Sequence, residues 1–286
     1  MYIFFVFLSA LFLGAYEVLK KISLKRSSVY EVLFFYCLSG FLISLIFIND
    51  AIDVSFNEIL FVLLKSAVIV INWLLVAKCM QKLDVGIVVG FSLLNTVLVV
   101  FGSSLFFNEV ITWLHFVSLL FIGAGIILIT LLERKQNDKK IKNNYLYIIL
   151  LIIGSVLGAC SGLLDKYMLN VKGVKPTAVL VWFLFFNTLI YGVIYLIKNK
   201  KIEWKKIKEN YWMSLTGIAI AASDIVYYYA IIMDGAQISL ISILRKSSVI
   251  VATILASVFL KEKYLLKKLG LLLIMLIGIS LPIIFK

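Results

Sequence analysis

LISILRKSSVIVATILASVFLKEK, residues 240–263, decides the fold of this chain. The segment has the length and apolar character of a bilayer-crossing helix, yet Arg245 and Lys246 sit well inside it. A cation near the membrane centre costs at least ~2.5–3.5 kcal/mol on the mildest insertion scale. Two adjacent cations therefore need a partner, a polar cavity or a function. A weak copy of the stretch lies earlier in the chain: one constant shift lays Ala77 on Ala230, Glu109 on Glu262 and Gly125 on Gly278, with apolar sequence between those marks. The regular layout implies a duplicated membrane protein.

The composition agrees. Hydrophobic residues make up 63% of 286, charged residues only 15%, and the mean hydropathy is +1.08. That is too much apolar surface for a soluble domain, so the solvent of this chain is lipid. The net charge of +13 would suggest nucleic acid in a soluble protein, but here the Lys and Arg fall in short gaps between apolar runs, too short to build a nucleic-acid-binding domain. Cys37, Cys79 and Cys160 are far apart and offer neither a disulfide framework nor metal-ligand spacing. The N-terminal MYIFFVFLSALFLGAYEVL has no basic leader and no small-residue cleavage site, so it reads as a retained first span.

About 20 apolar residues cross the hydrocarbon core as a helix. By that measure ten spans are expected, at 2–24, 31–48, 57–78, 84–106, 112–132, 145–169, 177–197, 211–233, 238–260 and 265–285. The basic stretch 133–144 divides an all-α integral membrane protein into a first five-helix repeat, 1–132, and a second, 145–286. Because five is odd, the second repeat enters the membrane upside down, the inverted arrangement of many secondary transporters. The odd-numbered connections carry Lys20, Lys21, Lys25, Arg26, Lys78, Lys82, the basic residues of 133–144, six lysines from Lys198 to Lys208, and Lys261, Lys263, Lys267 and Lys268. The even connections and the termini carry only Lys172, Lys175 and Lys286. The positive-inside rule then puts the odd connections in the cytoplasm and both termini outside.

Each half has an apolar fourth span ending in a Phe/Leu-rich tail with a glutamate: Phe106-Phe107-Asn108-Glu109 and Phe259-Leu260-Lys261-Glu262-Lys263. Each tail is followed by a glycine-containing span, FIGAGIILIT or LGLLLIMLIGISL. In layout and in these motifs the chain resembles the EamA-type permeases of the drug/metabolite transporter superfamily over essentially its whole length. It departs from the family in two ways. The proline often found in the fourth and ninth spans is absent, the only prolines being Pro176 and Pro282. Family members are also generally drawn with both termini in the cytoplasm.

Several intramembrane residues are candidates for chemistry. Ser239, Ser242, Lys246, Thr253 and Ser257 recur at helical spacing and predict one polar stripe on the ninth span, with Arg245 and Ser248 at its edge. Such a stripe lines a pathway or packs helices through small hydroxyls; the two cations favour the pathway. Asp165 in the sixth span and Arg245 differ in depth by about 4–5 Å at 1.5 Å per residue. They are expected to pair, either as a fixed outer gate or as a pair that opens for substrate. Asp224, deepest of the acids, precedes Tyr227, Tyr228 and Tyr229; Tyr228 lies one turn on and is expected to hydrogen-bond it, which makes this couple the proton-coupling candidate. Lys65 and Asn72, seven apart, share a face of the third span. Glu17 is placed to pair with Lys20 or Lys21, mainly as an anchor. Trp73, Trp182 and His115 read as packing or interfacial residues.

No nucleophile–base pair, nucleotide loop or metal motif is legible, so neither enzyme activity nor a cofactor is expected. The expected function is secondary active transport of a small polar metabolite through the bilayer of a bacterial cytoplasmic membrane. Arg245, Lys246, Ser242, Asp165, Lys65 and Asn72 would contact a carboxylate- or phosphate-bearing substrate, and the protein would act as a monomer or homodimer. The family resemblance implies amino acids or related metabolites, often in the export direction, while the expectation of proton coupling rests on Asp224. A flippase for a lipid-linked carrier and a non-transporting scaffold or enzyme remain as alternatives.

Overall fold

The computed structural model describes residues 1–82, 85–134, 145–202, 204–259 and 265–284. The linker residues 135–144, the tail residues 260–263 and Lys286 lie outside the described residues. Among the described residues the regular structure is entirely helical: α1 Tyr2–Arg26, α2 Val29–Ser44, α3 Ile48–Ile52, α4 Phe56–Lys82, α5 Val85–Phe107, α6 Trp113–Arg134, α7 Tyr145–Lys166, α8 Pro176–Asn199, α9 Lys205–Glu209, α10 Trp212–Ile232, α11 Ile238–Leu244, α12 Ser247–Phe259 and α13 Leu265–Ile284. Among the described residues seven segments are long and apolar enough to cross a membrane: Tyr2–Arg26, Val29–Ile52, Phe56–Lys82, Leu146–Val171, Pro176–Asn199, Trp212–Ile232 and Ile238–Phe259. Three shorter apolar helices among them, Phe91–Phe107, Trp113–Gly125 and Gly270–Pro282, overlap the expected fourth, fifth and tenth spans.

Local chemistry sets several of the boundaries. Ser28 caps α2 in a capping box: its Oγ accepts from the Glu31 N–H, and Glu31 Oε2 accepts from the Ser28 N–H at 3.0 Å. Pro176 opens α8 at the position where its missing N–H costs nothing. Past Lys166, α7 runs into a π-helical segment, Tyr167–Val171, before the chain turns.

Packing crosses between the two sides of the linker in reciprocal fashion. α1 lies on α10 and α12, while α7 lies on α4 and α5; α2 packs on α10 and α8 on α4; α2 also meets α8, and α6 meets α13. Lipid tails are as apolar as leucine, so such contacts are driven by close van der Waals fit at small residues rather than by the hydrophobic effect. The crossing of α2 and α10 shows this. A Cβ on Gly217 would collide with the Tyr36 carbonyl and would lie 2.9 Å from Gly40 N. One on Gly40 would approach the Gly217 carbonyl to 3.1 Å.

The ninth span is not one uniform helix. Between α11 and α12, Lys246 N bonds Ile243 O (3.1 Å), Ser248 N bonds Arg245 O (3.1 Å) and Val249 N bonds Lys246 O (3.0 Å). These i→i−3 bonds tighten the helix at the two cations, and a tightened turn rotates each residue by more than the 100° of an α-helix. The expected stripe is therefore corrected. Thr253 and Ser257 turn their hydroxyls onto Val249 O and Thr253 O of their own helix (2.8 and 2.9 Å). Ser242, Arg245, Lys246, Ser248, Val249 and Ala252 form the face turned to the interior cavity.

The α2–α10 crossing yields a test. Gly217→Ala forces the backbones apart and should lower stability by about 1–3 kcal/mol, the usual cost of overpacking. Gly270→Ala, where an added Cβ meets nothing within 4 Å, should be neutral. Thermal unfolding of the two variants in one detergent compares them directly.

Candidate functional site

A cavity of about 310 Å³ lies between the two sets of helices. Its wall on α4 runs from Lys65 to Met80, on α5 from Val88 to Val99, on α7 from Leu151 to Asp165, and on α1 from Leu13 to Lys20. It thus approaches the α4 C-terminus at Lys82, two residues past Met80, but stops about 13–14 Å short of the α4 N-terminus at Phe56, at 1.5 Å per residue. The α7 N-terminus belongs to the same end as the α4 C-terminus, since Cys79 Sγ donates to Tyr147 O (3.6 Å). The cavity therefore reaches toward the end carrying the lysine-rich odd connections and is closed toward the other.

Its floor is ionic. Lys65, only 2% exposed, has Nζ 2.5 Å from Asp165 Oδ1, donates to Tyr228 Oη, and lies 3.8 Å from the Phe183 ring centroid. Beside it, Arg245 Nη2 donates to Asp224 Oδ1 and to Ser223 Oγ, both at 3.0 Å, with its guanidinium 4.0 Å over the Tyr227 ring. Ser223 and Ser9 are in turn bonded across α10 and α1 (Ser9 Oγ to Ser223 O, 2.9 Å). Near the open end, Lys20 pairs with Glu17 at 2.8 Å and lies 4.3 Å from the Tyr16 ring. Lys246 differs from these cations: its Nζ donates to Ser92 O (2.7 Å) and Ser92 Oγ (3.1 Å), both neutral oxygens.

All six residues expected to contact substrate line this cavity, as do Asp224 and Tyr228. Two expected pairings are corrected. Asp165 pairs with Lys65 and Arg245 pairs with Asp224, in place of an Asp165–Arg245 bridge. Tyr228 binds Lys65 in place of Asp224. The reason is geometric: depth along a helix was legible, but which face of each helix turns to which neighbour was not. Sequence reading also missed Asn95, Thr96 and Ser161 on the wall, and the role of Ser92 as the seat of Lys246. Trp73 belongs to the wall as well. Trp182 packs, donating to Ala51 O at 2.9 Å, and His115 Nδ1 sits 3.2 Å from Thr112 N.

Below the floor the closed end is latched by Glu109, a residue of the first tail motif. Its carboxylate accepts from the N–H groups of Ile238 (2.7 Å) and Ser239 (3.0 Å), from Ser239 Oγ (2.5 Å) and from Lys166 Nζ. One side chain of the first half thereby holds two elements of the second, the α11 N-terminus and the end of α7. Asn108 adopts a left-handed backbone (φ 53°) just before it, directing the chain back toward α11. A second tie joins Asp50 to Lys175 (2.8 Å) and Thr177 (2.7 Å). Burial raises the Glu109 pKa, but the hydrogen bonds from Lys166, Ser239 and Ile238 outweigh it and hold the carboxyl below its ordinary 4.5. A lowered folded pKa makes the latch fully present above that value and lost as pH falls through the lowered one.

Replacing Glu109 by Gln removes the charge but keeps the shape. Side-resolved labelling of Ser161→Cys, in a Cys160→Ser background, reads the effect. Reaction from the closed side should rise about tenfold in Glu109→Gln, the scale of one lost charge-assisted bond. Without that change it should stay flat with pH above the ordinary carboxylate range.

The profile of the EamA-like transporter family matches residues 1–131 and again residues 145–284. No curated protein matches the sequence. Among solved structures, 28 chains match. One of these, described only as "Crystal structure of protein", superposes with a TM-score of 0.74 at 12% identity, covering 99% of this chain and 96% of that one; the likeness is one of fold.

Proposed function

Because the chain belongs to the EamA-like transporter family, within the drug/metabolite transporter superfamily, we propose that it is a secondary active transporter for a small polar metabolite bearing a carboxylate or phosphate. The observation that carries this reading is the charge balance of the cavity. Lys20, Lys65 and Arg245 are each matched by a carboxylate (Glu17, Asp165, Asp224), while Lys246 rests on the neutral oxygens of Ser92. A cation surrounded by low-dielectric wall and bonded, among the described residues, to neutral oxygens in place of a carboxylate attracts an anion from solution. Lys246 takes that anion, and Arg245 joins it when it leaves Asp224.

Alternating access would proceed between residues 1–132 and 145–286 as two inverted five-span repeats. The reciprocal packing of α1 and α7, and of α2 and α8, supports that symmetry. With the lysine-rich connections in the cytoplasm of a bacterium and both termini outside, the described conformation is inward-open, the state in which an exporter loads. Amino acids and related metabolites are the substrate class. Asp224 is the proton-coupling group. Its protonation would release Arg245 toward the substrate, while Tyr228 and Asp165 hold Lys65 in the floor.

Proteoliposome uptake of labelled amino acids, organic acids and phosphorylated metabolites, with and without a pH gradient, tests the reading. Saturable uptake should fall at least about tenfold in Lys246→Ala, and more steeply than in a variant outside the cavity. Uptake indifferent to Lys246, or absent for every compound, would move the reading toward lipid-linked substrates.

A further inference from the structure

Two asparagines in the cavity wall have no hydrogen-bond partner among the described residues. Asn72, on α4, is only 9% exposed, and Asn95 lies on α5; both carboxamides line the cavity beside α7. They face the same backbone position. A Cβ on Gly158 would collide with Asn95 Nδ2 and lie 2.9 Å from Asn72 Nδ2, and one on Gly154 would lie 3.2 Å from Asn72 Oδ1. The bare glycine surface leaves room for both amides, yet they bond neither to each other nor to α7. Both carboxamides keep their donors and acceptors turned to the open cavity, where the polar group of a bound molecule would replace water.

The neighbourhood restricts what that partner is. Each carboxamide offers two donors and one acceptor. Asn95 follows Ser92, the seat of Lys246, by three residues, so the amide pair lies about 4–5 Å along α5 from the ammonium. An anion is drawn to Lys246 rather than to the amides, and a hydrocarbon group would leave the amides unsatisfied. We propose that Asn72 and Asn95 form a second subsite which takes an uncharged, planar donor–acceptor group of the carboxamide type, carried by the same substrate whose anionic group rests on Lys246. Gly158 sets the clearance of this subsite. The inference rests on the transport reading and names the other end of its substrate.

Three small carboxylates of matched shape test it: succinamate, 4-methylpentanoate and succinate, which present a carboxamide, an isobutyl end and a second carboxylate. Each is measured as a competitor of the best substrate in the uptake assay and as a ligand of the purified protein by calorimetry. Succinamate should bind at least about tenfold more tightly than 4-methylpentanoate, as for a site built to hydrogen-bond its ligand. The preference should shrink to within about twofold in Asn72→Ala and in Asn95→Ala, with the weak 4-methylpentanoate constant unchanged, the signature of a lost pairwise contact. Gly158→Ala should do the same while leaving both asparagines in place, and a thermal transition establishes that each variant is folded. Equal constants for the three compounds, a preference that survives both asparagine variants, or no binding of succinamate would overturn the subsite. If Lys246-dependent uptake persists in any of those cases, the transport reading stands alone. Absence of saturable uptake for every compound would remove both.

Discussion

A charge inside a membrane must be matched, and most of this structure's interior follows from that constraint. Lys65 and Arg245 are tolerable because Asp165 and Asp224 stand 2.5 and 3.0 Å away and because Phe183, Tyr228 and Tyr227 turn ring faces to the cations. Each pair joins different helices, α4 to α7 and α10 to the turn between α11 and α12. Removing one partner leaves a buried, uncompensated charge, typically a loss of about 3–5 kcal/mol, so the pairs also hold the helices in register. Lys246 is the exception. Its Nζ rests on the neutral Ser92 O and Oγ, where the other cavity cations meet a carboxylate.

The same electrostatics closes one end of the molecule. Glu109 binds two backbone N–H groups at the start of α11 and the ammonium of Lys166, so one carboxylate joins α7, α11 and its own loop. α11 is short, and its far end is the tightened turn that carries Arg245 and Lys246. Seven residues of helix thus separate the latched N-terminus from the cations of the cavity. Mid-helix tightening of this kind often marks a hinge. Here it stands between the latch and the cavity.

Much of this was legible in the sequence, for physical reasons. Apolar runs separated by basic gaps announce membrane helices, and Arg245 and Lys246 announce a polar interior, because lipid tolerates neither without cause. The regular shift from Glu109 to Glu262 pointed to duplication. What escaped was azimuth. Spacing along a helix gives depth to a few ångströms, but the rotation of each helix is set by close contacts such as Gly217 against Tyr36 and Gly40, which no single segment reveals. Depth alone pairs Asp165 with Arg245, and spacing alone runs the serine stripe straight through a turn that rotates it. Asn95 is illegible in the sequence for a related reason. A lone asparagine in an apolar run is ambiguous until Gly154 and Gly158 on α7 are seen to leave it space.

In the proposed transport cycle, a fixed positive charge at position 246, reached from the lysine-rich side, draws substrate into the cavity. The most direct measurement is chemical restoration of that charge. Lys246→Cys in proteoliposomes should be inactive. Treatment with an aminoethyl thiosulfonate, which rebuilds an ammonium on the sulfur, should recover uptake when applied from the lysine-rich face, while a methyl thiosulfonate should not. Recovery with the neutral reagent, or full activity of the untreated cysteine variant, would contradict the account.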